Sequence, residues 1–319
     1  LLRHDRIGDV LVTVPFLRAL RSTYPKIEID MLFSDYNISA KRAVDSFTNN
    51  IYVYRKGILK LFKLIRQLRS RNYDLIIDLF DNPSTTSQYL IKLINPLYTI
   101  GFDKNNKGLY THIVPLPDKR LVHIVERITC LLMPFGINPS KSDLSLSFRL
   151  EPREIKYAKK MLMTKGKKLL AVNLSGSSRA KFWGVENIKS FIKMFSEIHS
   201  EIDIVIFFTE DYVSEADEIV ENTPARKAPP TKSFLRFAAY LSVCNYLLTP
   251  DTSAVHLAAA FKIPCVSLHL WTGSEDTGLP WYAYNTPQKT LKTSTNDLSS
   301  ISPENVCTAF NELILQVER

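Results

Sequence analysis

Residues Tyr246–Ala260 read YLLTPDTSAVHLAAA. A short apolar run ends at Pro250, three capping-type residues follow, and an alanine-rich helical pattern begins. A buried strand, a tight turn and a helix form the repeating unit of a parallel sheet covered on both faces. The start of such a helix exposes unpaired N–H groups and the positive end of its dipole at the C-terminal edge of the sheet. That position suits a phosphate or pyrophosphate. Asp251, Thr252, Ser253, Ala254 and, one turn further on, His256 are therefore candidate anion-site residues. An ordinary Asp/Thr cap over a core-packed histidine accounts for the same spacing, and spacing alone leaves both readings open.

Outward from this unit the same alternation fills the chain. β-rich runs occur at 27–33, 51–54, 75–79, 98–101, 169–174, 202–208, 246–249 and 265–269, with helical patterns between them. The clearest helices are expected over 58–69 and 154–164, where apolar residues recur at three- and four-residue steps. The βα series restarts at Lys168 after a polar segment over 138–153. Two domains are expected, 1–150 and 151–319, both α/β and Rossmann-like, with ligands in a cleft between them. A length of 319 residues fits two domains, and 45% apolar with 23% charged residues is ordinary for a soluble protein.

Two further stretches carry chemistry. Asn173–Gly184 reads NLSGSSRAKFWG. Here a strand runs into a small-residue loop with Arg179 and Lys181, whose cations can meet phosphate oxygens where the backbone comes close. A mobile basic loop, with Trp183 starting a helix at the domain surface, is the alternative. Arg3–Pro15 reads RHDRIGDVLVTVP. A strand-like start breaks at Gly8, Asp9 follows at once, and an apolar run leads to Pro15. Asp9 is either a helix cap or a catalytic base held at the mouth of a sheet.

The four cysteines form no CxxC, and Cys265 with His269 is a weak metal pair, so reduced thiols in a cytoplasmic compartment are expected. No signal peptide is visible, and the apolar stretches 234–248 and 254–271 are interrupted or too short to span a membrane. The chain opens on Leu inside a strand-like run, which suggests that a few residues precede it. The net charge of +9 is uneven: residues 1–150 hold 22 Lys and Arg against 13 Asp and Glu, while 151–319 hold 19 of each. Either this is plain surface solvation or the first half faces an anionic partner. Arg55, Lys56, Lys60, Lys63, Arg66, Arg69 and Arg71 concentrate the excess. Lys60, Lys63 and Arg66 are expected on an exposed helix face, opposite an apolar face of Leu61, Leu64, Ile65 and Leu68. Contact with a phosphorylated substrate or peripheral contact with an anionic membrane surface is one expectation from this pattern. A nucleic-acid partner is not expected, because no recognisable motif or interleaved aromatics accompany the charge.

Taken together, RIGDVLVTVPFLRALRSTYP (6–25), SGSSRAKFW (175–183) and TPDTSAVHLAAAFKIP (249–264) resemble glycosyltransferase family 9, the bacterial heptosyltransferases of the lipopolysaccharide inner core. The stretches NYDLIIDL, TIGFDKNNKGLYTHIVPLP, HIVERITCLLMPFGI and SFLRFAAYLSVCNYLLTPD resemble further family landmarks, in the same order. The resemblance implies a GT-B architecture, with two Rossmann-like domains facing across a cleft. The N-terminal domain would take the acceptor and the C-terminal domain the nucleotide sugar. It implies an inverting, metal-independent transfer from a nucleotide-sugar donor, ADP-heptose, to a phosphorylated Kdo/heptose-lipid A acceptor, with no other cofactor.

Residue by residue, Asp9 matches the family's general base, and Gly8 matches a glycine expected to turn the backbone so that the carboxylate faces the acceptor. The helix after Asp9 is expected to favour its ionised form. Lys181 matches the donor-site lysine of the K-x-W pattern and would act on the leaving pyrophosphate. Ser175 and Gly176 match the start of that loop. Asp251 and His256 match the D-T-G-x-x-H pattern, with Thr252, Ser253 and Ala254 supplying N–H groups. Glu215 is a candidate for the ribose, or a plain surface carboxylate. Ser253 replaces the family glycine, Gly184 replaces a frequent proline, and the loop over 269–281 departs from the family turn, so the donor's identity is open. The nearest Asp-x-Asp-like patterns, Glu28-Ile29-Asp30 and Glu201-Ile202-Asp203, fall at strand starts, the wrong edge for a metal-assisted site. Two alternatives stand beside transfer: a nucleotide-sugar epimerase or hydrolase of the same architecture, and a catalytically silent binding protein.

Overall fold

The computed structural model describes residues 1–318 apart from 165, 177, 271–280 and 294. The chain divides into two compact units, Leu1–Leu146 and Ser147–Arg319.

The first unit opens with α1 (Ile7–Val12) and α2 (Val14–Thr23), one apolar run bent at Thr13 with Pro15 in the first turn of α2. Pro is tolerated there because its missing N–H would have had no helical partner. β1 (Asp30–Ser34) pairs in parallel with β2 (Asn50–Tyr54), and α3 (Ile58–Arg69) follows. β3 (Leu75–Ile77), α4 (Thr85–Ile94), β4 (Tyr98–Phe102), β5 (His112–Val114) and α5 (Ile124–Thr129) complete the unit, with β3, β4 and β5 parallel neighbours. The first three residues join the two sheets: Leu2 donates its N–H to Ile77 O, and Arg3 donates to Leu32 O, both at 3.0 Å. The chain start thus occupies the strand position between β1 and β3, and whatever follows Arg3 emerges at the C-terminal edge.

The second unit contains α6 (Pro152–Leu162), β6 (Lys168–Asn173), α7 (Val185–Ile198), β7 (Ile202–Phe207), α8 (Val213–Glu221), β8 (Arg226–Lys227), α9 (Phe234–Leu241), β9 (Tyr246–Pro250), α10 (Ser253–Phe261), β10 (Cys265–His269), β11 (Gln288–Lys292) and α11 (Pro303–Glu318). Its six strands are parallel in the order β11-β10-β9-β6-β7-β8. The connections from β6 run outward through β7 and β8 on one side, while β9, β10 and β11 continue on the other. This is the doubly wound order, and its reversal between β6 and β9 leaves a crevice at the strands' C-terminal ends where ligands bind. Leu170, Val172, Phe191, Phe195, Ile204, Leu248 and Phe310 form the core beneath it.

All eight expected strands are present, with ends shifted by at most three residues and the 265–269 strand matched at both ends, and α3 spans the expected 58–69. β5, β8 and β11 were not expected. β8 has only two residues, Arg226 and Lys227, and β11 is QKTLK, half-exposed at a sheet edge. Neither carries the apolar run that marks a buried strand. No helix among the described residues is long and apolar enough to cross a membrane. The four cysteines are unpaired, and Cys265 and His269 stand at opposite ends of β10, too far apart to share an ion.

Candidate active site

Two constellations lie at C-terminal sheet edges, one in each unit. In the first, Gly8 is not at a turn ahead of the helix: it is the second residue of α1, in its first turn, and Asp9 is the third. Asp9 therefore reaches back to the helix start, where the Arg6 N–H donates to its Oδ2 at 3.2 Å. It is a cap and a candidate base at once. Its surroundings explain how it is held. Arg3, 1% exposed, donates through Nε to Asp9 O (2.9 Å) and Thr13 Oγ1 (3.1 Å), and through Nη1 to Asp5 Oδ2 (3.1 Å) and Leu79 O (2.9 Å). Arg3 Nη2 lies 3.8 Å from Asp9 Oδ1. On the β3 side, Asp81 pairs with the buried Arg127 at 2.9 Å.

Three carboxylates thus crowd around two buried guanidinium groups. Burial raises the Asp9 carboxyl above its usual value; Arg3 and the Arg6 N–H oppose this, and the charge on Asp81 adds to it. Burial likewise pushes Asp5 up to about 7, against Arg3 and with the charge of Asp9. The Arg6 N–H at the helix start favours the ionised form of Asp9, but desolvation outweighs it, so the net shift is upward. A carboxylate with raised proton affinity is the better proton acceptor. Arg3, Asp5 and Asp81 were not singled out in the sequence. Arg3 and Asp5 lie within the quoted stretch, but only the meeting of the chain start with the end of β3 shows what they do.

In the second unit the loops after β6 and β9 meet at the switch point. Lys181 Nζ donates to Asp251 Oδ2 at 2.6 Å and to Asp251 O at 2.8 Å. Two of its three N–H bonds are thereby used, leaving one for a ligand. Burial would raise the Asp251 carboxyl, yet His269, Lys181 and His256 together hold it below its usual value. Burial in turn lowers both imidazoles, His256 to about 4, so at neutral pH Lys181 is the standing positive charge. His256 is buried, with its ring 5.8 Å from that of Trp281, and it can offer a ligand only a neutral ring nitrogen.

Thr252 caps α10 by accepting the Ala254 N–H at 3.2 Å. That N–H is committed to the cap, which narrows the set of backbone donors expected at 252–254. Ser253 begins the helix with helical geometry, so a glycine's conformational freedom is not required at that position.

The β6 loop is built for close approach. A Cβ on Gly176 would lie 2.5 Å from Lys181 Cβ and 3.3 Å from Lys181 O, so only glycine lets the loop fold onto the lysine. Ser175 Oγ accepts the Thr209 N–H at 2.9 Å, tying the β6 and β7 ends together. Trp183 does not start a surface helix: it is 3% exposed and donates to Ile301 O at 2.8 Å, anchoring the loop's far end in the core. Glu215, in the first turn of α8, is paired with Arg179, which lowers its carboxyl and lies over the rings of Phe182 and Tyr212. Glu28 pairs with Arg71, Asp30 accepts from Tyr73 Oη, and Asp203 pairs with Lys167, all at the N-terminal end of their sheets. The loop over 271–280, where the sequence departs from the family turn, lies outside the described residues.

Two parallel α/β units, one with a buried carboxylate at its helix start and one with a cation and a capped helix at its switch point, form the frame of GT-B glycosyltransferases. The family model described as glycosyltransferase family 9 (heptosyltransferase) matches residues 61–305, and the chain belongs to that family. Lipopolysaccharide heptosyltransferase 3 of Escherichia coli (strain K12) is 26% identical over 82% of this chain and 79% of its own length. Among solved structures, the glycosyl transferase family 9 protein from Veillonella parvula has a TM-score of 0.81 at 19% identity, covering 99% of this chain and 96% of its own. The Escherichia coli heptosyltransferase WaaC with ADP-2-deoxy-2-fluoro heptose has a TM-score of 0.76 at 17% identity, over 98% of both chains. The expected family and GT-B fold are thereby met, and the protein is a glycosyltransferase.

Proposed function

We propose that the protein transfers a heptose, with inversion and without a metal ion, from ADP-heptose to a hydroxyl of a phosphorylated lipopolysaccharide inner-core acceptor at the cytoplasmic face of the membrane. The observation that carries this reading is the Lys181–Asp251 pair beside the capped start of α10 at the switch point of the second sheet. A pyrophosphate placed there meets one remaining Lys181 N–H and the positive end of a helix. The heptose and the ADP are supported by the family and by the ADP-2-deoxy-2-fluoro heptose of the WaaC structure.

In the chemical step the acceptor oxygen attacks the anomeric carbon from the face opposite the leaving group. Asp9 takes the hydroxyl proton as the new C–O bond forms, and the bond to the pyrophosphate oxygen breaks, so ADP leaves with the electron pair. Negative charge grows on the pyrophosphate, where Lys181 and the helix start stabilise it more than they stabilise the bound donor. Asp251 holds the lysine in place. The test is transfer from ADP-heptose to purified inner-core acceptor, with and without a chelator, with product configuration read by NMR. Transfer that survives chelation and inverts the anomeric centre is expected. Strict dependence on a divalent ion would overturn the metal-free step, and equal donor consumption with and without acceptor would favour the epimerase or hydrolase.

A further inference from the structure

The start of α3 departs from the amphipathic pattern expected of it. Leu64, Ile65 and Leu68 are buried against the first unit, but Ile58, Leu59 and Phe62 are 87%, 84% and 70% exposed. At 100° per residue, Ile58, Phe62, Arg66 and Arg69 form one stripe, and Leu59, Lys63 and Arg66 an adjoining one. The apolar residues occupy the first turn and a half, and the cations continue the same surface toward the C-terminus. Lys56 lies over the exposed ring of Tyr36 at 6.0 Å. Two of the seven clustered cations are already engaged, Arg55 with Asp35 and Arg71 with Glu28 and Asp30. Lys56, Lys60, Lys63, Arg66 and Arg69 make no ion pair among the described residues. Tyr36 and Gly57 follow β1 and β2 directly, so the patch stands at the C-terminal edge of the sheet that also delivers Asp9.

We propose that this surface docks the first unit on an anionic lipid bilayer, with Ile58, Leu59 and Phe62 entering the headgroup–acyl boundary and Lys63, Arg66 and Arg69 meeting the headgroups. Apolar side chains flanked by cations are what an interfacial helix requires. The same cations argue against a second copy of this chain as occupant, because like charges would face each other across the contact. The whole net charge of the protein lies in the half that carries this patch. The proposal holds whichever sugar is transferred, and its test needs no donor, so its failure would leave the transfer reading intact.

The experiment is co-sedimentation of the full chain with vesicles of phosphatidylcholine alone or with added phosphatidylglycerol, across a salt series. Binding to the anionic vesicles only, weakening with salt, is expected. The combined change Lys63→Glu, Arg66→Glu and Arg69→Glu should lower partitioning by about 100-fold, at about 5-fold per basic residue. The combined change Ile58→Ser, Leu59→Ser and Phe62→Ser should lower it by at least ~10-fold, because little apolar area would remain to leave water. A Phe62→Trp variant, read against the native tryptophans, should shift its emission to the blue on binding. Equal binding to both vesicle types, no binding at low salt, or an unshifted Phe62→Trp emission in the bound state would overturn the proposal. So would a lipid-free dimer that the serine changes disperse.

Discussion

Asp9 caps α1 with the same carboxylate that is proposed as the base, and its neighbours set the balance between the two. The Arg6 N–H fixes one oxygen, Arg3 stands near the other, and Asp81 adds negative charge. Asp9→Asn keeps the cap, since the amide oxygen can accept the same N–H, but removes the proton acceptor. Turnover should fall by at least ~10²-fold while the melting temperature changes little; near-normal turnover would take Asp9 out of the mechanism. The pH profile gives a second reading of the same site. A base must be ionised to work, so kcat/KM falls as pH drops through its pKa. Because burial raises the Asp9 carboxyl, the acid limb should lie above the ordinary aspartate value of about 4. Asp81→Asn removes a charge that raises Asp9, so it should move that limb to lower pH. An unmoved limb would assign it to another group. None of this coupling is legible in the sequence. A turn glycine was the natural reading of Gly8, yet the turn is completed by residue 6 and the helix has already begun at Ile7.

At the scale of elements, the second unit was legible where a local pattern was self-sufficient. YLLTPDTSAVHLAAA declares its strand, its cap and its helix within fifteen residues, and Thr252 forms the cap while Asp251 turns to Lys181. Edge strands such as β11 stayed hidden because their pairing depends on β10, not on their own apolarity. The two readings of the Trp183 loop stayed open because its partner carbonyl, Ile301, lies far along the chain. The β6 loop yields a sharp test of packing. Gly176→Ala places a methyl against the Lys181 backbone as well as its side chain. The loop must shift, and ADP affinity should drop nearly as far as in Lys181→Ala. Gly108→Ala, with nothing within 4 Å of the new carbon, serves as the control and should leave ADP affinity unchanged. Equal ADP affinity in Gly176→Ala and the native protein would mean that the loop relaxes without moving its lysine.

For the whole molecule, charge and chemistry divide along the same line. The excess of cations and the buried carboxylate belong to the unit Leu1–Leu146, and the switch-point lysine belongs to Ser147–Arg319. The sequence showed the restart of the βα pattern near Lys168 because each unit repeats the same period. It could not show which side chains would be buried together, since those contacts join residues tens of positions apart. If the proposed roles follow this division, nucleotide binding and proton removal should separate by mutation. Lys181→Ala removes a charge-assisted hydrogen bond to phosphate and leaves Asp251 without its cation, so that a carboxylate faces the pyrophosphate. ADP affinity, measured by calorimetry, should fall by roughly 10- to 100-fold, from about 1.5–3 kcal/mol for a hydrogen bond to a charged group. Asp9→Asn should leave ADP affinity within about two-fold, well below the 1.4 kcal/mol that a tenfold change represents. A large loss of ADP binding in Asp9→Asn would mean that the first unit shares the nucleotide. An unchanged affinity in Lys181→Ala would move the pyrophosphate away from the β6–β9 switch point altogether.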